Sequence, residues 1–267
     1  MEKNRYTSAI IGIPLVILIF LIGNKYVVDI SMAIISMIAM NEYFNAISKV
    51  ANPVKWIGYI SCTIIAFLHT IPLEILVRIV LILIPLILLV LFLHVIITEM
   101  RINVKDIAYT FFGICYVVFF MTFIALIGGL ENGKILIWFT IISAWGTDIF
   151  AYFVGKTIGK HKFSKISPKK SIEGCVGGAV AAVIMLVGYI FVSNTYWGTD
   201  FSYINVAWIG LLLSLIGQVG DFSASCIKRY VDIKDYSNLI PGHGGILDRM
   251  DSFLFIAPFA YTLFEIM

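Results

Sequence analysis

Four aspartates, Asp148, Asp221, Asp248 and Asp251, stand in or at the edges of long apolar runs. A carboxylate inside such a run costs roughly 2.5–3.5 kcal/mol on insertion scales, so each needs a partner or a purpose. Asp248 and Asp251 are three residues apart and share one face of a helical first turn. Hard oxygen donors at this density suit Mg2+, which is usually held by one or two carboxylates together with water and substrate phosphates. The neighbouring residues suit a phosphate. Gly217, Gly220, Gly242, Gly244 and Gly245 allow backbone to approach closely, and Lys228, Arg229 and Arg249 bring positive charge, arginine in a fork that grips phosphate at two points. His243, between Gly242 and Gly244, falls in a glycine-rich turn where an imidazole can donate to phosphate or act as an acid. Acidic groups for a metal beside basic groups for phosphate make the pattern of metal-assisted phosphoryl or nucleotidyl transfer.

Plainer readings compete with each of these. The basic stretch 156–170 is also what a topology signal alone would produce. Asp148 could serve only to hydrogen-bond a neighbouring helix, and Asp251 could form a local ion pair with Arg249. Gly155 to His161 has the wrong spacing for a P-loop and lacks the Ser or Thr after Lys160, so it is rejected. Cys62, Cys115, Cys175 and Cys226 are widely spaced with no CxxC pair and read as small core residues, with neither a disulfide nor a zinc site expected. His69, His94, Asp29, Glu42 and Glu74 lie near span ends or alone and are assigned no role.

These residues must be positioned by helices in lipid. Of 267 residues 60% are hydrophobic and only 13% charged, and the mean hydropathy is +0.98. A soluble domain carries about 25% charged residues, so a water-soluble enzyme with one ordinary core is excluded, as is disorder. The net charge of +3 is small and nothing points to nucleic acid. An all-α, polytopic integral membrane protein is expected, with nine candidate spans near 8–23, 27–47, 56–70, 73–97, 107–128, 135–155, 174–193, 203–226 and 250–266; an even count stays open around Pro72, Arg78 and Pro85 in the fourth run. Lys3 and Arg5 precede an apolar run with no small-residue cleavage site before Asn24, which reads as an uncleaved first span. With alternating sides, sixteen Lys and Arg residues fall on one face, only Lys25 and Lys134 on the other, and Arg78 within a span. Cytoplasmic loops keep the excess, so the amino terminus is expected in the cytoplasm and the polar loops 156–173 and 227–249 on the inner face. Asp148 then lies about 10 Å before the inner boundary near Gly155, with Asp221, Asp248 and Asp251 at similar depth. The expected organisation is a scaffold of helices over 1–130 and a catalytic transmembrane region over 131–267. No internal repeat of the transporter kind is visible.

The stretch from Ser225-Cys226-Ile227-Lys228-Arg229 through Lys234-Asp235 to Pro241-Gly242-His243-Gly244-Gly245-Ile246-Leu247-Asp248-Arg249-Met250-Asp251 resembles, over 27 residues without a gap, the signature of phosphatidate cytidylyltransferases, also called CDP-diacylglycerol synthases. Asp148 with Tyr152 and Gly155, the run Ser167-Pro168-Lys169-Lys170-Ser171-Ile172-Glu173-Gly174, and Gly220-Asp221 with Ser225 are similar to that family too. Ile172 departs from it, where an aromatic residue is expected. The resemblance covers the carboxy-terminal half; the amino-terminal spans match only as hydrophobic segments.

The resemblance implies a reaction of CTP with phosphatidic acid to give CDP-diacylglycerol and pyrophosphate for phospholipid biosynthesis, with Mg2+ required, at the cytoplasmic face of a bacterial-type inner or plasma membrane, and a homodimer. It implies that Asp221 and Asp248 hold one metal ion or a pair, with Asp251 and Asp148 as further ligands or orienters. Lys228, Arg229 and Arg249 would neutralise phosphates, and Lys169 and Lys170 would close over the nucleotide or the lipid headgroup. Ser225, Ser167, Lys234, Gly244 and Gly245 complete the expected substrate contacts, with His243 among the catalytic groups. Two rival functions fit some of the same residues. A CTP-dependent polyprenol or phytol kinase would release CDP instead of pyrophosphate. An ion-coupled transporter would use the carboxylates as an ion path, but its site belongs near the midplane, whereas these aspartates gather toward one face. Small residues Gly174, Gly177, Gly178, Ala181 and Ala182 permit close helix packing, within the fold or between protomers.

Overall fold

The computed structural model describes residues 14, 17–164 and 166–265. Lys3, Arg5 and Lys165 of the basic set, and half of the first apolar run, lie outside the described residues. Among the described residues there are helices, turns and loops but no strand, only isolated bridges at Lys162–Ser171 and Ile240–Gly244. Apolar runs in lipid must satisfy their backbone groups internally, and helices do so. After a π-helical turn at Leu18–Ile22 come α1 (Lys25–Ile47), α2 (Lys55–Thr63) with its 3-10 continuation Ile64–Thr70, α3 (Leu73–Ile97), α4 (Val104–Gly129, with a π-helical stretch Ile114–Phe119), α5 (Gly133–Ile158), α6 (Ile172–Tyr196), α7 (Tyr203–Tyr230) and α8 (Leu247–Glu265).

Six of these helices, α1 and α3 to α7, are long and apolar enough to cross a membrane. The fourth apolar run is one continuous helix through Pro85, capped by Pro72. Of the other expected spans, α2 has 9 residues before its 3-10 continuation. The last, α8, has 19 residues and carries charged side chains in its first turn.

The chain divides into two compact units. The first holds Met1–Gly129 with Val231–Arg249, the second Leu130–Tyr230 with Met250–Met267, so the division passes through the first turn of α8.

In the first unit the core forms on α1, where Met32, Met40, Tyr43 and Phe44 are fully buried. Glycines on its neighbours receive the large rings: a Cβ at Gly58 would run into Phe44, and one at Gly113 into Tyr43. The Tyr43 hydroxyl donates to the Tyr109 carbonyl at 3.0 Å. α4 starts at a capping box, with the Asn103 side chain accepting from the Lys105 and Asp106 amides and Asp106 accepting back from the Asn103 amide at 2.9 Å. Asp106 also accepts from the Asn52 amide at 2.7 Å, which ties the turn before α2 to α4.

In the second unit α5 and α6 pack backbone to backbone. A Cβ at Gly174 or Gly178 would sit 2.6 Å from the carbonyl of Ala151 or Thr147, and one at Gly177 would meet Val154. The small-residue face of α6 is therefore spent on α5, inside the fold. α7 joins them through Thr147, whose hydroxyl donates to Ser214 at 2.7 Å, and Gln218, which donates to the Cys175 carbonyl at 3.1 Å.

Candidate active site

Each unit brings together its own carboxylates. In the second unit, Asp148 lies in the last three turns of α5 and Asp221 in the last three of α7, while Asp251 belongs to the first turns of α8. Two glycines of α7 let α8 come close: a Cβ at Gly220 would sit 2.6 Å from the Asp251 carbonyl, and one at Gly217 would sit 2.7 Å from Ile256. Ser252 of α8 donates from its hydroxyl to Asp148 at 3.1 Å, and its amide donates to Asp251 at 2.8 Å. Asp251 is buried, in the field of the Asp221 and Asp148 charges, with Lys228 of opposite sign opposing them.

The cation at the centre of this group is Lys170. Its ammonium pairs with Asp221, lies 4.0 Å from Asp148 and stands over the Phe222 ring, 4.9 Å from its centre. Phe222 in turn stacks on Phe163 with centroids 4.7 Å apart. Burial pushes the Lys170 ammonium toward neutrality, but the carboxylates of Asp221 and Asp148 outweigh it, and its pKa lies above the ordinary lysine value.

The loop that delivers Lys170 is folded locally. Phe163 donates its amide to the Lys170 carbonyl at 3.1 Å and Ile172 donates to His161 at 2.9 Å. Ser171 caps α6 by accepting from the Gly174 amide at 3.1 Å. Glu173 accepts from the amides of Lys160 and His161 at 3.2 Å and pairs with His161 Nδ1 at 2.6 Å. Lys169 is exposed and Ser167 half-buried, its carbonyl accepting from the Lys170 amide at 3.1 Å. Ser225 and Lys228 are half-buried on α7, and Arg229 is exposed at its end.

In the first unit the glycine-rich turn is held by two carboxylates. Asp248 Oδ2 accepts from the amides of Tyr236 at 2.8 Å and Gly245 at 3.0 Å. Glu42 of α1 accepts from the Ser237 hydroxyl at 2.6 Å, the Ile246 amide at 3.0 Å and the Leu247 amide at 2.8 Å. The turn itself closes by Ile240 donating to the Gly244 carbonyl at 2.8 Å and His243 donating to Ile240 at 2.9 Å. Gly242 and Gly244 have φ of 78° and 86°, a left-handed conformation that favours glycine. The Gly245 amide, expected to approach phosphate, is thus committed to Asp248. One oxygen of Asp248 is likewise committed to two backbone donors. Lys234 and Arg249 are exposed in this unit, and His243 is half-buried.

The profile of the cytidylyltransferase family matches residues 3–267. This chain belongs to the cytidylyltransferase family. Curated relatives include phosphatidate cytidylyltransferases of Bacillus subtilis, 45% identical over 134 residues, and of Staphylococcus saprophyticus, 39% identical over 172 residues. That of Staphylococcus aureus strain N315 is 37% identical over 171 residues. The matched segment covers 50% of this chain and 48% of the Bacillus protein, and 62% of each chain in both staphylococcal comparisons.

The donor chemistry of this cytidylyltransferase-family chain suits a hard divalent ion, because Asp148, Asp221 and Asp251 offer only oxygen, and the first two already face a cation in Lys170. Among the described residues no three His, Cys, Asp or Glu side chains converge at metal-binding spacing. A divalent ion placed at Asp221 would have to displace the Lys170 ammonium. Sequence reasoning misses two groups in this family member. Glu42, given no role, is 3% exposed and organises the signature turn, and Asp29, fully buried, accepts from the His69 amide at 3.0 Å and pairs with its Nδ1 at 2.7 Å. The signal that finds both is the one used for the four aspartates: a carboxylate in an apolar run must have a partner.

Proposed function

We propose that this protein transfers a cytidylyl group from CTP to phosphatidic acid, giving CDP-diacylglycerol and pyrophosphate. The observation that carries the reading is a lysine ammonium held between carboxylates of two apolar helices, Asp148 and Asp221, in a chain of this family. The names of the relatives supply the substrates. A phosphatidate oxygen forms a bond to the α-phosphorus of CTP as the α–β phosphoanhydride bond breaks and pyrophosphate leaves. The phosphomonoester is already an anionic nucleophile, so the chain need not supply a strong base.

Lys170, Lys228 and Arg229 stand in the second unit as counter-charges for the phosphates and the leaving group. Mg2+ is part of the proposal: Asp221, with Asp148 and Asp251, would hold it, and it would neutralise charge on the nucleotide phosphates. With Asp221 engaged in that way, Lys170 would be free to meet a phosphate. The basic loops are proposed to face the cytoplasm, with nine spans and the amino terminus inside, because sixteen Lys and Arg residues fall on that side. The homodimer that the family resemblance implies belongs to the same proposal.

Purified protein incubated with CTP labelled at the α-phosphate and phosphatidic acid, with and without Mg2+, tests the reading. The expected result is label in the lipid fraction, pyrophosphate in solution, and dependence on the ion. Release of labelled CDP with phosphorylation of a prenol would establish the kinase instead. Ion flux into liposomes without CTP turnover would establish a transporter.

A further inference from the structure

We infer that Glu42, on the amino-terminal helix α1, is a positioning residue for the reaction, acting through the Gly-His-Gly-Gly turn. The inference rests on the transfer reading above for its kinetic readout, but its geometry stands alone. Glu42 is almost fully buried on a helix of otherwise mostly apolar lining, and it accepts hydrogen bonds from one segment, Ser237 to Leu247, 195 to 205 residues further along the chain. Two of those donors are the amides at the start of α8, groups that an α-helix leaves without an internal partner. An ionised carboxylate is also the favoured side chain at a helix amino terminus.

The glycines of the turn agree with this role. A Cβ at Gly245 would sit 2.5 Å from both oxygens of Glu42, and one at Gly244 would sit 2.8 Å from Asp248 Oδ2. The two residues are glycine because two of the chain's own carboxylates close onto them. Glu42 from α1 and Asp248 from α8 thus fix the turn that carries His243, both within the first unit. Glu42 touches no substrate in this account. It sets where His243 and the start of α8 lie.

The consequence is a coupling between residues 42 and 245. Glu42→Gln keeps the side chain's shape but sets an NH2 donor against a backbone N–H, so the turn shifts. A shift of about 1 Å in a catalytic group costs about a hundredfold, so kcat should fall by about that factor, with KM for CTP nearly unchanged and the melting temperature in detergent close to wild type. Gly245→Ala should reduce kcat severely in the wild-type background and add little in Glu42→Ala, where room for the new methyl exists. A role confined to stability would show this coupling in the melting temperature but not in kcat.

Wild-type kcat in a folded Glu42→Gln variant overturns the inference, as does an equal effect of Gly245→Ala in both backgrounds. If the wild-type protein makes no CDP-diacylglycerol, the transfer reading fails separately. Hydrogen exchange then decides for Glu42: the Ile246 and Leu247 amides should lose protection in Glu42→Ala while those of α1 keep theirs. Unchanged protection at both amides overturns the contact itself.

Discussion

Two sets of carboxylates, one in each unit, are satisfied in different ways. In the first, Glu42, Asp248 and Asp106 are bound to backbone amides, donors that are part of the fold and cannot leave. In the second, Asp221 and Asp148 face a lysine ammonium at the end of a flexible side chain on the loop before α6. A carboxylate on backbone amides defines a conformation. A carboxylate on an ammonium can exchange that cation for another, which is what a metal- and phosphate-handling site requires. In the proposed function the first unit shapes the signature turn and the second handles charge.

The sharpest way to break this contrast is Asp221→Asn. If Asp221 is part of the exchangeable site, synthesis of CDP-diacylglycerol should drop by about a hundredfold or more, since an ion that stabilises transferring phosphoryl groups contributes several kcal/mol. The protein should still insert and elute as the wild type does, and near-normal turnover at saturating Mg2+ would remove the assignment.

Lys170→Met separates the two roles of the lysine. Breaking a buried pair by removing one partner costs about 3–5 kcal/mol. Lys170 is 20% and Asp221 22% exposed, which places the stability loss measured by thermal unfolding at or below the lower end of that range. Transfer should fall as well, while Mn2+ should bind more tightly because its competitor is gone. Weaker Mn2+ binding would mean that Lys170 supports the ion rather than displacing it.

Smaller effects are expected where only packing or capping is changed. Gly178→Leu forces a side chain against the Thr147 carbonyl and should cost about 1–3 kcal/mol or more by overpacking, read as a lower melting temperature. Asn103→Ala removes the cap of α4 and should cost about 1 kcal/mol. Turnover at 25 °C should be unchanged in that variant, because Asn103 bonds to amides at the start of its own helix and not to the turn.

How much of this is legible in the sequence follows from the range of the interactions. Helices α1 and α3 to α7 are visible because an apolar run about 20 residues long has one stable form in lipid. The places of Asp148 and Asp221 toward the ends of α5 and α7, and of Asp251 near the start of α8, are visible too, because position along a helix converts directly to rise. Lateral pairing is not. Nothing local distinguishes Lys170 from Lys169, yet of the two it is Lys170 that pairs with Asp221, while Lys169 is exposed. The partners of Glu42 are hidden for the same reason, since they lie some 200 residues away and two of them are backbone amides that carry no side-chain identity. The glycine-rich turn is visible as a turn, but its glycines suggest an approaching phosphate when it is the chain's own carboxylates that approach.

The central claim is that the carboxylates of α5, α7 and α8 form an exchangeable cation site. Mn2+ titration of the purified protein, followed by the electron paramagnetic resonance of the free ion, tests it most directly on wild type and Asp221→Asn side by side. The account predicts saturable binding in the wild type that is lost in the variant. Binding of equal strength in both proteins would contradict it.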